Sequence, residues 1–128
     1  METHEKRALI EYYLDAYNSF DVKRMIAAFH PDIEFKNFSG GKVSAIASGI
    51  EQFRVLAEKS EKMFSSRQRS IKTFEATGDQ ASIDIEYAGV LAVDLPNGMK
   101  AGETLRLTGH SDFVFQDQKI YRLTDYSG

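Results

Sequence analysis

The hydrophobic period of this chain changes once, near Arg67, from close to four residues to two. Before that point Leu9, Tyr13, Ala16, Tyr17 and Phe20 recur at helical spacing, which predicts an amphipathic helix over Thr3 to Phe20 with Glu5, Lys6, Arg7 and Glu11 largely off its apolar stripe. Asp21 is placed to cap a second, short helix carrying Val22, Met25, Ile26 and Phe29, and Pro31 stops it by His30. Ile33 to Phe38 alternates as a strand does and runs into Ser39-Gly40-Gly41, read as a flexible loop at a pocket rim. Ser48 and Glu51 have capping-box spacing, and Ile50, Phe53, Ala57 and Phe64 extend a third helix to about Ser65.

Past Arg67 the odd positions Ala81, Ile83, Ile85, Tyr87, Gly89, Leu91 and Val93 are apolar or small, while Ser82, Asp84 and Glu86 fall between them. A strand from Ala81 to Val93 therefore turns its odd face to the core. Asn97-Gly98 has the chemistry of a hairpin turn, and the returning strand keeps Leu105, Leu107, Phe113 and Phe115 odd against Arg106, His110 and Gln116. Ile83, Ile85, Leu107 and Phe113 are expected inside, and Asp84, Glu86 and Arg106 outside. Gly78-Asp79 and Asp117-Gln118 supply the other turns of a meander ending over Ile120 to Tyr126. Helices in front and long strands behind make an α+β chain, a cone-shaped curved antiparallel sheet wrapped around three N-terminal helices. The mouth of such a cone is a natural ligand cavity.

Composition narrows the function classes. With 42% hydrophobic and 27% charged residues, the chain has a globular balance and not a disordered one. Cysteine is absent, which removes disulfides, thiol nucleophiles and thiolate zinc sites. A net charge of -3 gives no electrostatic reason to expect nucleic acid. The opening residues mix charged with apolar positions, unlike a signal peptide or a membrane span, so a cytoplasmic protein with no membrane partner is expected. His4, His30 and His110 lack the spacing of paired ligands, so no metal is expected either.

Four stretches carry a family resemblance: Tyr12-Tyr13-Leu14-Asp15-Ala16-Tyr17 with Asp21-Val22, Phe29-His30-Pro31-Asp32-Ile33-Glu34-Phe35, Ser48-Gly49-Ile50-Glu51-Gln52-Phe53, and Ser111-Asp112-Phe113-Val114-Phe115 leading to Lys119-Ile120. In this order, and over nearly the whole chain, they resemble the nuclear transport factor 2-like superfamily, in particular its SnoaL-like and ketosteroid isomerase-like members. The resemblance implies one SnoaL-like domain over residues 1–128 with the cystatin-like cone. It also implies a homodimer through the sheet's outer face, where Val90, Ala92 and Val114 supply apolar patches, and acid-base chemistry with no cofactor. Tyr13 matches the ketosteroid isomerase tyrosine that hydrogen-bonds the developing enolate oxygen. Asn37 stands where those enzymes carry their aspartate base, and an amide has no basic lone pair for a proton at neutral pH. Ser111 stands where they carry an aspartic acid. Steroid isomerisation by the family's own mechanism is therefore not expected.

The remaining candidates keep two readings each. Asp125 matches a cavity-lining position, and is either an inward acid or base in an apolar cone or a solvated carboxylate near a strand end. Tyr17 and Tyr87 converge with Tyr13, either on a ligand or as aromatic core whose hydroxyls reach backbone partners. His110 and Asp112 fall on the outer parity, and a bulge near Gly109 would bring Asp112 inside. Tyr13 and Asp125 are thus the catalytic candidates, and Tyr17, Asn37, Tyr87 and Ser111 the ligand-binding ones. Three functions stay open: isomerisation, aldol-type cyclisation or hydration of an apolar carbonyl or ring compound; binding of a small hydrophobic molecule without turnover; or a dimeric protein-interaction module.

Overall fold

The computed structural model describes residues 1–127. In chain order it contains α1 (Thr3–Asn18), α2 (Val22–Ala27), β1 (Phe29–Ser39), β2 (Lys42–Ser48), α3 (Gly49–Glu61), β3 (Phe64–Thr77), β4 (Gln80–Leu91), β5 (Thr104–Gln116) and β6 (Lys119–Ser127). The strands form one six-stranded sheet in the order β2-β1-β6-β5-β4-β3, curved and unclosed, with the helices on its concave side. The sheet is mixed and not purely antiparallel, because β1 lies parallel to β6. After the β1–β2 hairpin, α3 carries the chain to the far edge. There β3 starts opposite in direction to β1, and three reversals bring β6 back running the same way as β1. Among the described residues, no helix is long and apolar enough to cross a membrane.

The parity argument holds along β4 and β5 with one exception. Ile83, Ile85 and Phe113 are buried, and Asp84, Glu86 and Arg106 are exposed. Leu107, expected in the core, is 36% exposed. It keeps the inner side of the sheet, but there the sheet faces the mouth of a cavity instead of packed helix.

Five element boundaries differ from the sequence reading. β4 ends at Leu91, which leaves Val93, expected on the core face, exposed in the connection that follows. α1 ends at Asn18, and Phe20 beyond it takes a left-handed φ of 58°. α2 stops at Ala27, so Phe29 and His30 open β1; proline at 31 disfavours a helical His30, and the Ile120 amide donates to the Ala28 carbonyl. The stretch after Ser39-Gly40-Gly41 is the edge strand β2, joined to β1 by a two-residue turn with Gly40 at φ 58° and Gly41 at φ 80°. α3 ends at Glu61, and Phe64 opens β3. The expected hairpin turn at Asn97-Gly98 is not formed: residues 92–103 make a longer connection between β4 and β5, with one turn from Leu95 to Gly98 centred on Pro96-Asn97 and another from Lys100 to Glu103. The Ser48 side chain does not cap α3; it donates to Glu34 at 2.7 Å, and Gln52 Oε1 accepts from the Ser48 amide instead. Lys6, expected off the apolar stripe, is 3% exposed and donates to the Gly78 carbonyl in the β3–β4 turn.

The outer face carries a linked polar cluster. His110 Nδ1 lies 2.8 Å from Asp84 Oδ1 and its Nε2 2.7 Å from Asp112 Oδ1, to which Ser82 also donates. The β4–β5 ladder runs without a register shift, so Asp112 stays on this face. The hydrogen bond with Asp84 outweighs partial burial and raises the His110 imidazole above its ordinary value. The hydrogen bond from His110, then that from Thr73, lowers the Asp84 carboxyl. A raised folded-state pKa means that the histidine's contribution to stability is complete below its ordinary value of about 6.5 and is lost as pH rises through the raised one. Asp84, shifted the other way, loses its share as pH falls. Denaturant titrations from about pH 5 to about pH 9 should therefore show a loss of stability on the alkaline side that His110→Gln removes. An equal slope in the variant would contradict this.

Candidate functional site

Between α1, α3 and the concave sheet lies a cavity of about 250 Å³. Its apolar wall includes Met25, Phe35, Phe53, Leu56 and Ile85, and Tyr13, Tyr17, Asn37, Tyr87, Ser111 and Asp125 all line this same space. Helical phase explains the tyrosines of α1: Ile10, Tyr13, Leu14 and Tyr17 share its buried stripe. Strand register explains the rest. Asn37 on β1 is the partner of Asp125 on β6, which is the partner of Ser111 on β5, so the three form a row across adjacent strands.

Asp125 is 5% exposed, yet its surroundings are not the apolar ones expected. Ser111 Oγ donates to its Oδ1 at 2.6 Å, and Arg69 Nη1 donates to its Oδ2 at 3.2 Å. Tyr13 is 2% exposed and packs on Phe29, with 5.2 Å between ring centroids. Burial, then the Asp125 carboxylate, pushes its phenol up from the usual value, so Tyr13 keeps its proton and can donate it in a hydrogen bond. Tyr17 and Tyr87 reach each other, hydroxyl to hydroxyl at 3.3 Å, and among the described residues neither hydroxyl bonds a backbone partner. Burial, then Tyr17, raises the Tyr87 phenol as well. Asn37 sits at the rim, its amide nitrogen donating to Ser44 Oγ at 2.6 Å and Ser39 Oγ at 3.3 Å.

Two cavity-lining cations were not among the sequence candidates. Arg67 and Arg69 both enter from β3. The β3–β4 ladder shifts register between Phe64 and Ser66 and again between Ile71 and Thr73. Phe64, Phe74 and Ala76 would place even residues inside, and the two shifts turn the odd Arg67 and Arg69 inward between them, opposite Gly89 and Tyr87. Burial opposes the Arg69 charge, but the surrounding acidic groups, the Asp125 carboxylate among them, outweigh it and keep the guanidinium protonated.

AclR, a candidate hydroxylase from Streptomyces galilaeus, is similar at 20% identity and a TM-score of 0.80, over 99% of this chain and 91% of that one. A candidate polyketide cyclase from Xanthomonas campestris pv. campestris is similar at 21% identity and 0.83, over 98% and 91%. An NTF2-like protein of unknown function from Burkholderia pseudomallei is similar at 13% identity and 0.80, over 100% and 92%. At these identities the likeness speaks for the α+β cone. No curated protein sequence matches the chain. The sequence model of the SnoaL-like domain matches residues 10–123, from the buried stripe of α1 to the cavity strand β6, and the chain belongs to that SnoaL-like family.

Proposed function

We propose that the chain binds a small, largely apolar carbonyl or ring compound in this cavity, polarises its oxygen with the Tyr13 phenol, and uses Asp125 to accept a proton from the carbon beside that carbonyl. One observation carries the reading: the polar side chains capable of gripping such a molecule all open onto a single, mostly apolar space. Tyr13 Oη makes no hydrogen bond within the protein among the described residues, which leaves its proton for a ligand oxygen. Each Asp125 oxygen holds one hydrogen bond and retains a second lone pair. The hydroxylase and cyclase descriptions of the structural relatives favour small-molecule chemistry of this kind.

A second reading, capture without turnover, is favoured by the amide at position 37 and by the engagement of Asp125 with Arg69. 2-Acetonaphthone, a neutral aromatic ketone, separates the two. Calorimetry should show saturable binding to the wild type, weakened about fivefold or more (~1 kcal/mol) in Tyr13→Phe. Mass spectrometry in heavy water should show deuterium entering the methyl group faster with protein than without. Binding without exchange selects capture, and absence of binding overturns both readings for a neutral ketone.

A further inference from the structure

We propose that the cavity's ligand is an anion, a ring compound bearing a carboxylate, whose oxygens are taken by the amino groups of Arg67 with Arg69 beside it. The proposal rests on the reading of the cavity as a small-molecule site and specifies the class of molecule. Arg67 is 4% exposed, and its Nε donates to the Tyr17 carbonyl at 2.9 Å. The guanidinium lies 3.7 Å from the Tyr17 ring centroid and 4.5 Å from that of Phe20. Stacking of this kind covers the flat faces of a guanidinium, whereas its N–H bonds radiate in the plane. Nη1 and Nη2 of Arg67 are buried and have no hydrogen-bond partner among the described residues, and Arg69 Nε is in the same state.

A purely structural role for Arg67 leaves this pair unanswered. Holding β3 to the end of α1 needs only the Nε bond. Shutting a charged fork away from water without acceptors is costly. Charge balance points the same way. Among the described residues that line the cavity, two arginines stand against one carboxylate, that of Asp125, while the ring of His110 is held on the outer face by Asp84 and Asp112. One positive charge is left over, on a fork whose spacing fits both oxygens of a carboxylate. The mouth beside it offers Leu105 and Leu107 to the apolar body of such a molecule. Phe20 holds its ring over Arg67 from a left-handed backbone that phenylalanine rarely adopts.

The experiment compares 2-naphthoate with 2-acetonaphthone, which share a ring system and a trigonal substituent and differ in charge. Calorimetry on the wild type should give naphthoate at least tenfold tighter binding. Arg67→Met should erase that advantage. Should Arg67→Met fail to fold, Arg67→Lys keeps the charge and loses the fork, and should reduce the advantage severalfold. Equal or weaker naphthoate binding with good ketone binding would overturn the anion proposal alone. Failure of both ligands would overturn the cavity reading and this proposal with it. A naphthoate advantage that survives the Arg67 substitution would remove the assignment to Arg67.

Discussion

Phe29→Asp should abolish the cooperative unfolding transition at room temperature. Phe29 is 4% exposed and sits between two rings, 5.2 Å from Tyr13 and 4.6 Å from Phe53, at the junction of α1, α3 and the start of β1. Truncating a buried phenylalanine costs about 3–5 kcal/mol, and an unpaired carboxylate in its place adds several more. Against a total stability of about 5–15 kcal/mol, that sum empties the native state. Leu107→Asp makes the informative contrast. The alternation of β5 ranks Leu107 with the core, but at 36% exposure it can turn a carboxylate to water at the cavity mouth. Circular dichroism melts should show no sigmoidal transition for Phe29→Asp and a midpoint within a few degrees of wild type for Leu107→Asp. A wild-type melt for Phe29→Asp would contradict the packing of these rings.

Asp125→Asn should cost about 3–5 kcal/mol of stability and stop any deuterium exchange into a bound ketone. The substitution keeps the shape of the side chain and an acceptor for Ser111 Oγ, and it removes the carboxylate that pairs with the Arg69 guanidinium. Breaking one half of a buried pair is worse than losing both, because the surviving charge is stranded. Urea titration of Asp125→Asn and of the double variant with Arg69→Met tests this directly. The double variant should regain much of the loss. A single variant within about 1 kcal/mol of wild type would contradict the stabilising ion pair, and one that still exchanges deuterium would remove the base role from Asp125.

The parts of the site that were legible in the sequence share a property: their placement follows from an unbroken period. Tyr13 and Tyr17 follow the helical phase of α1, and Ser111 follows the alternation of β5, whose ladder with β4 has no shift across that stretch. What escaped lies where a period is interrupted. Arg67 and Arg69 would be read as solvent residues by extrapolating from Phe74 and Ala76, and only the shift near Lys72 reverses them. The Arg-Gln-Arg spacing was a signal for two cations on one face, but it does not say which face. β2 escaped for a similar reason: the glycine pair at its start punctuates a hairpin and a loop equally well, and its partner β1 is set by tertiary pairing. The parallel β1–β6 pairing leaves no local trace at all, since it depends on where α3 delivers the chain.

β3 pairs on one side only, and its arginines occupy the segment between two register shifts. The tyrosines, Ser111 and Asp125 sit on α1, β4, β5 and β6. The two arginines and the other polar side chains of the cavity thus sit on different elements and meet only across the cavity wall. Substitutions at Arg67 and Arg69 would change the cavity's charge, and they would also disturb the Tyr17 ring on which both stack and the Asp125 carboxylate that Arg69 holds. Chains of this shape are therefore free to diverge in what they accept by exchanging a few residues at the sheet's margin, and a shared cone is a poor guide to a shared ligand.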